Sequence, residues 1–243
     1  MSADPASRLN EPLVDHPLAS IVLPVHNQAD HLEGLLHAYL EALSRLPLRY
    51  QVVLVPNACR DATPRICERW AAENTDGETV ELAEGGWGRA VRAGLARARG
   101  DLVCYTNSAR TSPQLLSLAL LYASTNPGVV VKAQRRIRDN WRRQLGSLVY
   151  NLECRLLFGL ASWDINGTPK VFPRAFEKLL ELKSDDDMID AEFVVTCKRE
   201  RYPIIELPTA LTIRHGGLST TNYSSALRMY RGAFRLRQGS GPL

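Results

Sequence analysis

The sequence predicts an α/β fold, in which flanking helices cover a doubly wound, mostly parallel central sheet. Short runs rich in β-branched residues alternate with longer segments whose apolar residues repeat at helical spacing. Residues 20–25 form the first such run and residues 51–55 the second. Strands that alternate with helices form βαβ units, and ligands of such folds bind beyond the carboxyl ends of the strands. The polar residues that follow each strand are therefore the candidates for a functional site.

The first half of the chain supplies these elements in order. Leucines and one tyrosine at positions 32, 35, 36, 39, 40 and 43 form the apolar stripe of a first helix. Thr63 is predicted to cap a second helix, with Pro64 at its first position. The later elements are a strand at 79–83, a helix at 88–99, a strand at 101–105, a helix from Ser112-Pro113 and a strand at 129–131.

Beyond residue 135 the regular alternation ends. Residues 141–160 are predicted to form a long amphipathic helix, and an acidic loop lies at 185–187. The remaining predicted elements are strands at 203–207 and 210–214 and a basic amphipathic helix at 224–237. The predicted organisation is a flexible N-terminal segment (1–18), one domain (19–223) and a basic C-terminal helix and tail (224–243).

Composition and charge narrow the classes of function. The 243 residues are 45% hydrophobic and 23% charged, with a formal net charge of +4 and no long run of one sign, which gives no support to nucleic-acid binding. The five cysteines are dispersed and include no Cys-x-x-Cys pair, which argues against disulfides or zinc and predicts a cytoplasmic location. No run of 18 apolar residues exists, so no membrane span is predicted.

A series of motifs follows the predicted strands in a fixed order. They are Pro24-Val-His-Asn-Gln28, Pro56-Asn-Ala-Cys-Arg-Asp-Ala-Thr63, Gly86-Trp-Gly-Arg-Ala-Val-Arg-Ala-Gly94, Gly100-Asp101, Asp164-Ile-Asn-Gly-Thr-Pro-Lys-Val-Phe172, Ile189-Asp-Ala-Glu192 and Arg214-His-Gly-Gly-Leu-Ser219. Over roughly residues 20–237 the chain resembles glycosyltransferase family 2, and within it the polyprenyl-phosphate mannose or glucose synthase branch. The resemblance implies a GT-A (Rossmann-like) fold and inverting transfer of a sugar from a UDP- or GDP-linked donor.

The acidic metal-binding positions of that family are neutral in this chain. Gln28, Asn57 and Asn107 stand where the family pattern has carboxylates, which hold Mg²⁺ or Mn²⁺ against the diphosphate of the donor. An amide keeps much of the shape of a carboxylate but removes its charge. Arg110 lies close by, and a guanidinium can hold a phosphate through two hydrogen bonds. We therefore expect a transferase that needs no metal and no other cofactor; the alternative is a catalytically inactive module that binds a nucleotide sugar or a partner.

The resemblance also implies roles for individual residues. The expected nucleotide-sugar-binding residues are Pro24, His26, Gln28, Asn57, Arg89, Asn107, Ser108, His215 and Ser219. The expected catalytic residues are Asp164, Asp190 and Glu192, and Arg110 joins them because of the phosphate-binding chemistry of its guanidinium rather than the resemblance. Asp190 and Glu192 are candidates for the general base that takes the proton of an acceptor hydroxyl, whereas an ionised phosphate acceptor needs no base.

The acceptor is expected to contact Arg135, Arg143 and Ser147. Arg143 and Ser147 are four residues apart and share one face of the predicted helix. In the polyprenyl-phosphate branch an Arg-x-x-x-Ser pair at this place holds the acceptor phosphate, so the resemblance implies a lipid-phosphate acceptor. A solvated helix face would explain these arginines equally well.

Further alternatives concern Asp164, the basic helix and other classes of nucleotide-binding enzyme. Asp164 is also a typical turn residue in Asp-x-Asn-Gly. The basic helix at 224–237 suits peripheral contact with anionic lipid, but packing against the domain or a second copy of the chain explains it too. A nucleotidyltransferase is disfavoured because no glycine-rich loop follows the first strand, and a nicotinamide cofactor because Gly-x-Gly-x-x-Gly is absent.

Overall fold

A computed structural model describes residues 18–135, 151–162 and 164–209. These residues form a seven-stranded sheet whose strands are β1 (Leu18–Val25), β2 (Arg49–Pro56), β3 (Gly77–Thr79), β4 (Leu102–Tyr105), β5 (Val130–Arg135), β6 (Lys170–Pro173) and β7 (Ile204–Thr209). The spatial order is β3-β2-β1-β4-β6-β5-β7. The predicted mostly parallel sheet is confirmed, and β6 alone among these strands runs antiparallel to both of its neighbours.

Helices cover both faces of the sheet. They are α1 (Leu32–Leu43), α2 (Thr63–Glu73), α3 (Trp87–Leu95), α4 (Pro113–Thr125), α5 (the described helical residues 151–158) and α6 (Ile189–Arg199). Helices α1, α2 and α4 pack on one face, and α3, α5 and α6 pack on the other. Alternate residues of β1 serve the two cores, so that Ile21 and Leu23 lie in the first and Val22 in the second, all fully buried. None of the helices in the described ranges is long and apolar enough to cross a membrane.

Most predicted elements are present with shifts of a few residues at their ends, and α5 ends where Gly159 adopts a φ of +60°. The predicted strand at 210–214, the basic helix at 224–237 and the N-terminal segment 1–17 lie outside the described residues, as do residues 141–150 of the long helix.

The prediction that Thr63 caps α2 was wrong, because Thr63 is already the first helical residue. Asp61 takes over the capping role, since its Oδ1 accepts the backbone N–H of Thr63 at 3.0 Å. The Thr63 Oγ1 instead accepts the backbone N–H of Gln28 at 2.8 Å, which ties the loop after β1 to the start of α2.

The third strand also lies earlier than predicted. β3 occupies Gly77–Thr79 rather than residues 79–83, and Leu82 makes only an isolated bridge with Asn57. Single hydrogen bonds from Val80 to Leu54 and from Leu82 to Pro56 continue along β2, so the segment stays beside the sheet without extending the strand.

Candidate functional site

A cleft of about 420 Å³ opens at the carboxyl ends of β1 and β2. It is lined by His26, Asn27, Ala58, Cys59, Arg60 and Ala83. The position agrees with the rule that ligands of such sheets bind beyond the carboxyl ends of the strands. Of these lining residues only His26 was predicted as a site residue; Asn27, Cys59 and Arg60 were missed.

Hydrogen bonds fix the wall of this cleft. The His26 Nδ1 donates to the backbone carbonyl of Asn57 at 2.7 Å, and the His26 Nε2 accepts from the Asn27 Nδ2 at 3.1 Å. A carbonyl oxygen can only accept, so this arrangement places the imidazole proton on Nδ1. The Asn27 Oδ1 in turn accepts the backbone N–H of Arg60 at 2.8 Å. The two loops that frame the cleft are therefore joined directly.

Two non-glycine residues of the wall adopt left-handed backbone conformations. The φ of Asn27 is +50° and that of Ala58 is +46°. Such a conformation costs about 1–2 kcal/mol for an L-residue such as alanine, and it persists where surrounding contacts enforce it. The backbone N–H of Ala58 donates to the Leu82 carbonyl at 2.8 Å, which supplies one such contact. Strain of this kind is concentrated at functional sites in proteins.

The three amides that replace the family's acids lie in the loops after β1, β2 and β4, and each side chain makes a hydrogen bond within the protein. The Gln28 Oε1 accepts from the Ser108 Oγ at 2.9 Å, and the same hydroxyl lies 3.1 Å from the Pro24 carbonyl. The Asn57 Nδ2 donates to the Val25 carbonyl at 2.8 Å, and the Asn107 Oδ1 accepts the backbone N–H of Ala109 at 3.0 Å. The Gln28–Ser108 contact joins the loop after β1 to the loop after β4.

This donor set does not fit a divalent cation. Mg²⁺ and Mn²⁺ favour charged oxygen ligands, whereas all three side chains are neutral and two of their oxygens already accept internal hydrogen bonds. Within the described ranges, no group of three His, Cys, Asp or Glu side chains is arranged to hold a metal ion.

One carboxylate survives in the loop after β2. The Asp61 Oδ2 accepts the backbone N–H of Ala29 at 3.1 Å, while its Oδ1 accepts that of Thr63. Partial burial works against the charged form, but the hydrogen bonds from Thr63 and Ala29 lower the pKa of Asp61 below its ordinary value. Asp61 therefore joins the two loops as an anion. Asp61 was not predicted as a site residue, although an aspartate two residues before Thr-Pro is a recognisable signal for the start of a helix.

Arg110 lies in the turn after β4, where its backbone N–H donates to the Asn107 carbonyl at 3.0 Å. The residue is half-buried and is not among those that line the cleft. Its loop nevertheless opens at the same edge of the sheet, because β4 runs parallel to β1.

Arg89 does not line the cleft either. Its guanidinium pairs with Glu84 and lies 3.7 Å from an Asp185 carboxylate oxygen. Its backbone N–H donates to the Asp185 carbonyl at 2.9 Å, so residues 184–186 cover the first turn of α3. A Cβ at Gly88 would lie 2.2 Å from the Ser184 carbonyl oxygen. The glycines of this segment therefore allow close packing against that loop.

The structure brings Asp164 and Arg135 together. The Arg135 Nε and Nη2 donate to the two carboxylate oxygens of Asp164, each at 2.8 Å, and the Arg135 backbone N–H donates at 2.9 Å. Burial opposes the charged form, but the hydrogen bonds and charge of Asp164 raise the pKa of Arg135 above its ordinary value. Lys132, a residue missed by the sequence reading, donates to the Asp164 carbonyl at 2.6 Å and to Glu206 at 2.9 Å.

Asp190 lies in a buried polar network under the sheet. It accepts hydrogen bonds from Trp87 (3.1 Å) and Tyr105 (3.0 Å) and pairs with the ammonium of Lys170. Burial lowers the pKa of Lys170 to about 8, although the charge of Asp190 opposes this shift. Because Asp190 is only 4% exposed, the network holds it in the core rather than in the cleft.

Glu192 also has backbone partners. Its two carboxylate oxygens accept the backbone N–H groups of Lys183 and Ser184, each at 2.8 Å, and so hold the loop before α6. The remaining predicted site residues, Arg143, Ser147, His215 and Ser219, lie outside the described residues.

Comparison with known proteins supports the fold. The chain is similar in structure to glucosyl-3-phosphoglycerate synthase from Mycobacterium tuberculosis, solved in complex with Mn²⁺, UDP and glucosyl-3-phosphoglycerate. The TM-score is 0.69 at 15% identity, with 92% of this chain and 80% of that chain covered. The likeness confirms the expected GT-A fold.

Sequence relatives point to the same family. The chain is 27% identical over 148 residues to undecaprenyl-phosphate 4-deoxy-4-formamido-L-arabinose transferase of Pseudomonas fluorescens (strain SBW25), which covers 60% of this chain and 43% of the relative. It is 29% identical over 200 residues to the glycosyltransferase AglD of Haloferax volcanii, which covers 78% of this chain and 32% of the relative. The chain thus spans less than half the length of these relatives. Residues 20–187 match the model of glycosyl transferase family 2, and the chain belongs to that family.

Proposed function

We propose that the chain is a glycosyltransferase that moves a sugar from a nucleoside-diphosphate sugar to a phosphate-bearing acceptor without a divalent cation. The observation that carries the proposal is the composition of the cleft edge in a family 2 fold. Among the described residues that line the cleft there is an arginine and no carboxylate, and amides replace the family's metal-binding acids in the loops after β1, β2 and β4. A cationic site of this kind suits the anionic diphosphate of the donor.

In this reaction an acceptor oxygen forms a bond to the anomeric carbon while the bond from that carbon to the diphosphate breaks. The electron pair of the broken bond stays with the nucleoside diphosphate, whose growing negative charge needs stabilisation. Arg110 is the proposed clamp for that charge, and His215 and Ser219 are proposed to assist it. Attack from the face opposite the leaving group inverts the anomeric configuration.

The contacts of the carboxylates favour a phosphate acceptor over a hydroxyl acceptor. A hydroxyl needs a base, but Asp190 is held by Lys170 in the core and Glu192 by two backbone N–H groups. Asp164 is occupied by Arg135. A phosphate oxygen is ionised at neutral pH and attacks without a base. The names of the undecaprenyl-phosphate relatives suggest a polyprenyl phosphate as this acceptor.

A polyprenyl phosphate resides in a membrane, so the proposed enzyme works at a membrane surface. All five cysteines are free thiols, which supports a location on the cytoplasmic side. The proposed donor is a UDP- or GDP-linked sugar, and the cleft residues do not favour one base over the other.

The test uses the full chain with undecaprenyl phosphate in detergent micelles and a panel of UDP- and GDP-sugars. We expect a glycolipid product and free nucleoside diphosphate in excess EDTA at the same rate as with Mn²⁺. The R110Q variant should lower kcat by about 10²–10³-fold, in the range found for loss of one stabilising donor. R45Q, which changes an exposed arginine in the turn after α1, is the matched control. Activity that requires Mn²⁺ or Mg²⁺ would contradict the metal-free mechanism.

The second candidate function is a catalytically inactive module that binds a nucleotide sugar or a partner. The Gln28–Ser108 hydrogen bond favours this alternative, because the amide oxygen of Gln28, at a position where the family has a metal-binding acid, instead holds two loops of the protein together. Such a module would bind a nucleotide sugar in a calorimeter but release no nucleoside diphosphate with any acceptor or with water.

A further inference from the structure

Arg60 stands out among the polar groups of the cleft. It lines the cleft and is exposed, and within the described part of the chain its guanidinium has no hydrogen-bond or ion-pair partner. Arg97 and Arg99, by contrast, pair with Glu78 and Asp76. An unpartnered guanidinium in a cleft is free to bind an anion.

The backbone of Arg60 is fixed independently of its side chain. Its N–H donates to the Asn27 Oδ1 at 2.8 Å, and the His26–Asn57 hydrogen bond braces the same wall at 2.7 Å. A ligand would therefore meet a guanidinium whose attachment point is already ordered. Pre-ordering of this kind reduces the entropy lost on binding.

The charges around the cleft also favour an anion. Among the described residues that line the cleft there is no carboxylate. Asp61 is already occupied by the backbone N–H groups of Ala29 and Thr63. Among the described residues of the cleft wall, Arg60 is thus the one with a permanent charge.

We propose that Arg60 binds the diphosphate of the nucleoside-diphosphate donor. A guanidinium can donate two parallel hydrogen bonds to phosphate oxygens. Arg60 follows β2 and Arg110 follows β4, the two strands that flank β1, so their loops open at the same edge of the sheet. Two arginines from these loops supply positive charge in place of the cation. This inference rests on the proposed function for the identity of the ligand.

The experiment measures binding to the full chain by isothermal titration calorimetry in EDTA. The probes are UDP, GDP, inorganic pyrophosphate and the nucleosides uridine and guanosine. We expect R60Q to weaken binding of the preferred nucleotide and of pyrophosphate by about tenfold or more, since a charge-assisted hydrogen bond is lost. R60K should fall between R60Q and the wild type. Nucleoside binding should change by less than about twofold, because nucleosides carry no phosphate.

R65Q is the matched control, because Arg65 is an exposed arginine of α2 that does not line the cleft. Circular dichroism and thermal unfolding of R60Q should match the wild type, since the Asn27 contact uses only the backbone of residue 60. R60Q affinities within twofold of wild type would overturn the proposal, and so would equal losses for nucleotide and nucleoside. A wild type that binds none of the phosphate-bearing probes would overturn it as well.

The proposed function can fail separately. If the wild type transfers sugar and R60Q binds the nucleotide as tightly as the wild type does, the Arg60 subsite is refuted and the proposed enzyme activity stands. A protein whose nucleotide affinity depends on Arg60 but which transfers no sugar would keep the subsite and refute the enzyme.

Discussion

Arg135 and Asp164 are joined by two parallel hydrogen bonds of 2.8 Å, so that a residue expected to hold the acceptor and one expected to act in catalysis form a single ion pair. The Asp164 side chain is 2% exposed and the Arg135 side chain 17%. Lys132 holds the backbone of Asp164, and the Asn151 Oδ1 accepts the N–H of Ile165 at 3.1 Å. The segment at 164–165 is therefore fixed by its charge partner, by a buried lysine and by α5.

Replacing Asp164 by asparagine should destabilise the protein strongly. The D164N change leaves the mostly buried Arg135 without its anion, and a broken buried pair costs about 3–5 kcal/mol. The free energy of unfolding, measured with urea, should fall by that amount. D185N is the control, because it breaks the exposed contacts of Asp185 with Arg89 and Arg92 and should cost no more than about 1 kcal/mol. Equal losses of unfolding free energy in the two variants would show that the Arg135–Asp164 pair stabilises the protein no more than an exposed ion pair does.

Gly167 should not tolerate a side chain. A Cβ at this position would lie 1.9 Å from the Ala133 carbonyl oxygen and 3.1 Å from the Asp164 Oδ2. G167A should therefore push the 164–167 turn away from β5 and destabilise the fold by several kcal/mol, on the order of other severe core clashes. The midpoint of urea unfolding measures the effect.

G34A is the matched glycine substitution, and its effect on the free energy of unfolding should have the opposite sign. Gly34 lies within α1, and a Cβ there meets nothing within 4 Å. Alanine favours a helix over glycine by about 1 kcal/mol, so G34A should raise the free energy of unfolding. A G167A protein as stable as wild type would mean that the turn at 164–167 is not packed against β5 as described.

The strands and α1 could be predicted because their apolar residues repeat at spacings set by local geometry alone. The contacts of the site could not. Lys132 lies one residue beyond the predicted strand 129–131, and its burial depends on Glu206 from β7. Lys132 and Lys170 lie opposite each other in the register of β5 and β6, and no local sequence pattern predicts that register. Gln28 was predicted as a site residue because it occupies an acidic position of the family motif. Its neighbour Asn27 was not predicted, because the motif does not show which side chains line the cleft.

The buried Lys170 should give the protein a distinctive pH dependence. The pKa of Lys170 is lowered to about 8 in the folded state, against about 10.4 for an unfolded lysine. Between these values the unfolded chain binds more protons than the native one, so this lysine makes the free energy of unfolding rise with pH from about 8 to about 10. The contribution of Lys170 is measured as the difference in the free energy of unfolding between the wild type and a Lys170 variant over this pH range.

Two variants isolate the lysine. K170M removes the titrating group, and K170R keeps a positive charge throughout, because arginine does not deprotonate in this range. Urea unfolding of each variant should lack the rise seen in wild type, whatever its absolute stability. A wild type whose free energy of unfolding changes with pH in parallel with both variants would show that Lys170 does not titrate there.

Restoring the acids at the loop after β4 should create an Mn²⁺ site. The double variant N107D/A109D turns Asn107-Ser-Ala109 into Asp-Ser-Asp and supplies the charged oxygen ligands that a divalent cation favours. Ala109 is only 3% exposed, so without metal the new carboxylate should lower Tm. Added Mn²⁺ should then raise Tm with increasing concentration, because a ligand of the native state stabilises it by mass action. The wild type and N126D, a change at the end of α4, should show no Mn²⁺-dependent shift. A wild type whose Tm rises with Mn²⁺ as steeply as that of the double variant would mean that the amides already suffice to hold the cation, and the metal-free mechanism would have to be abandoned.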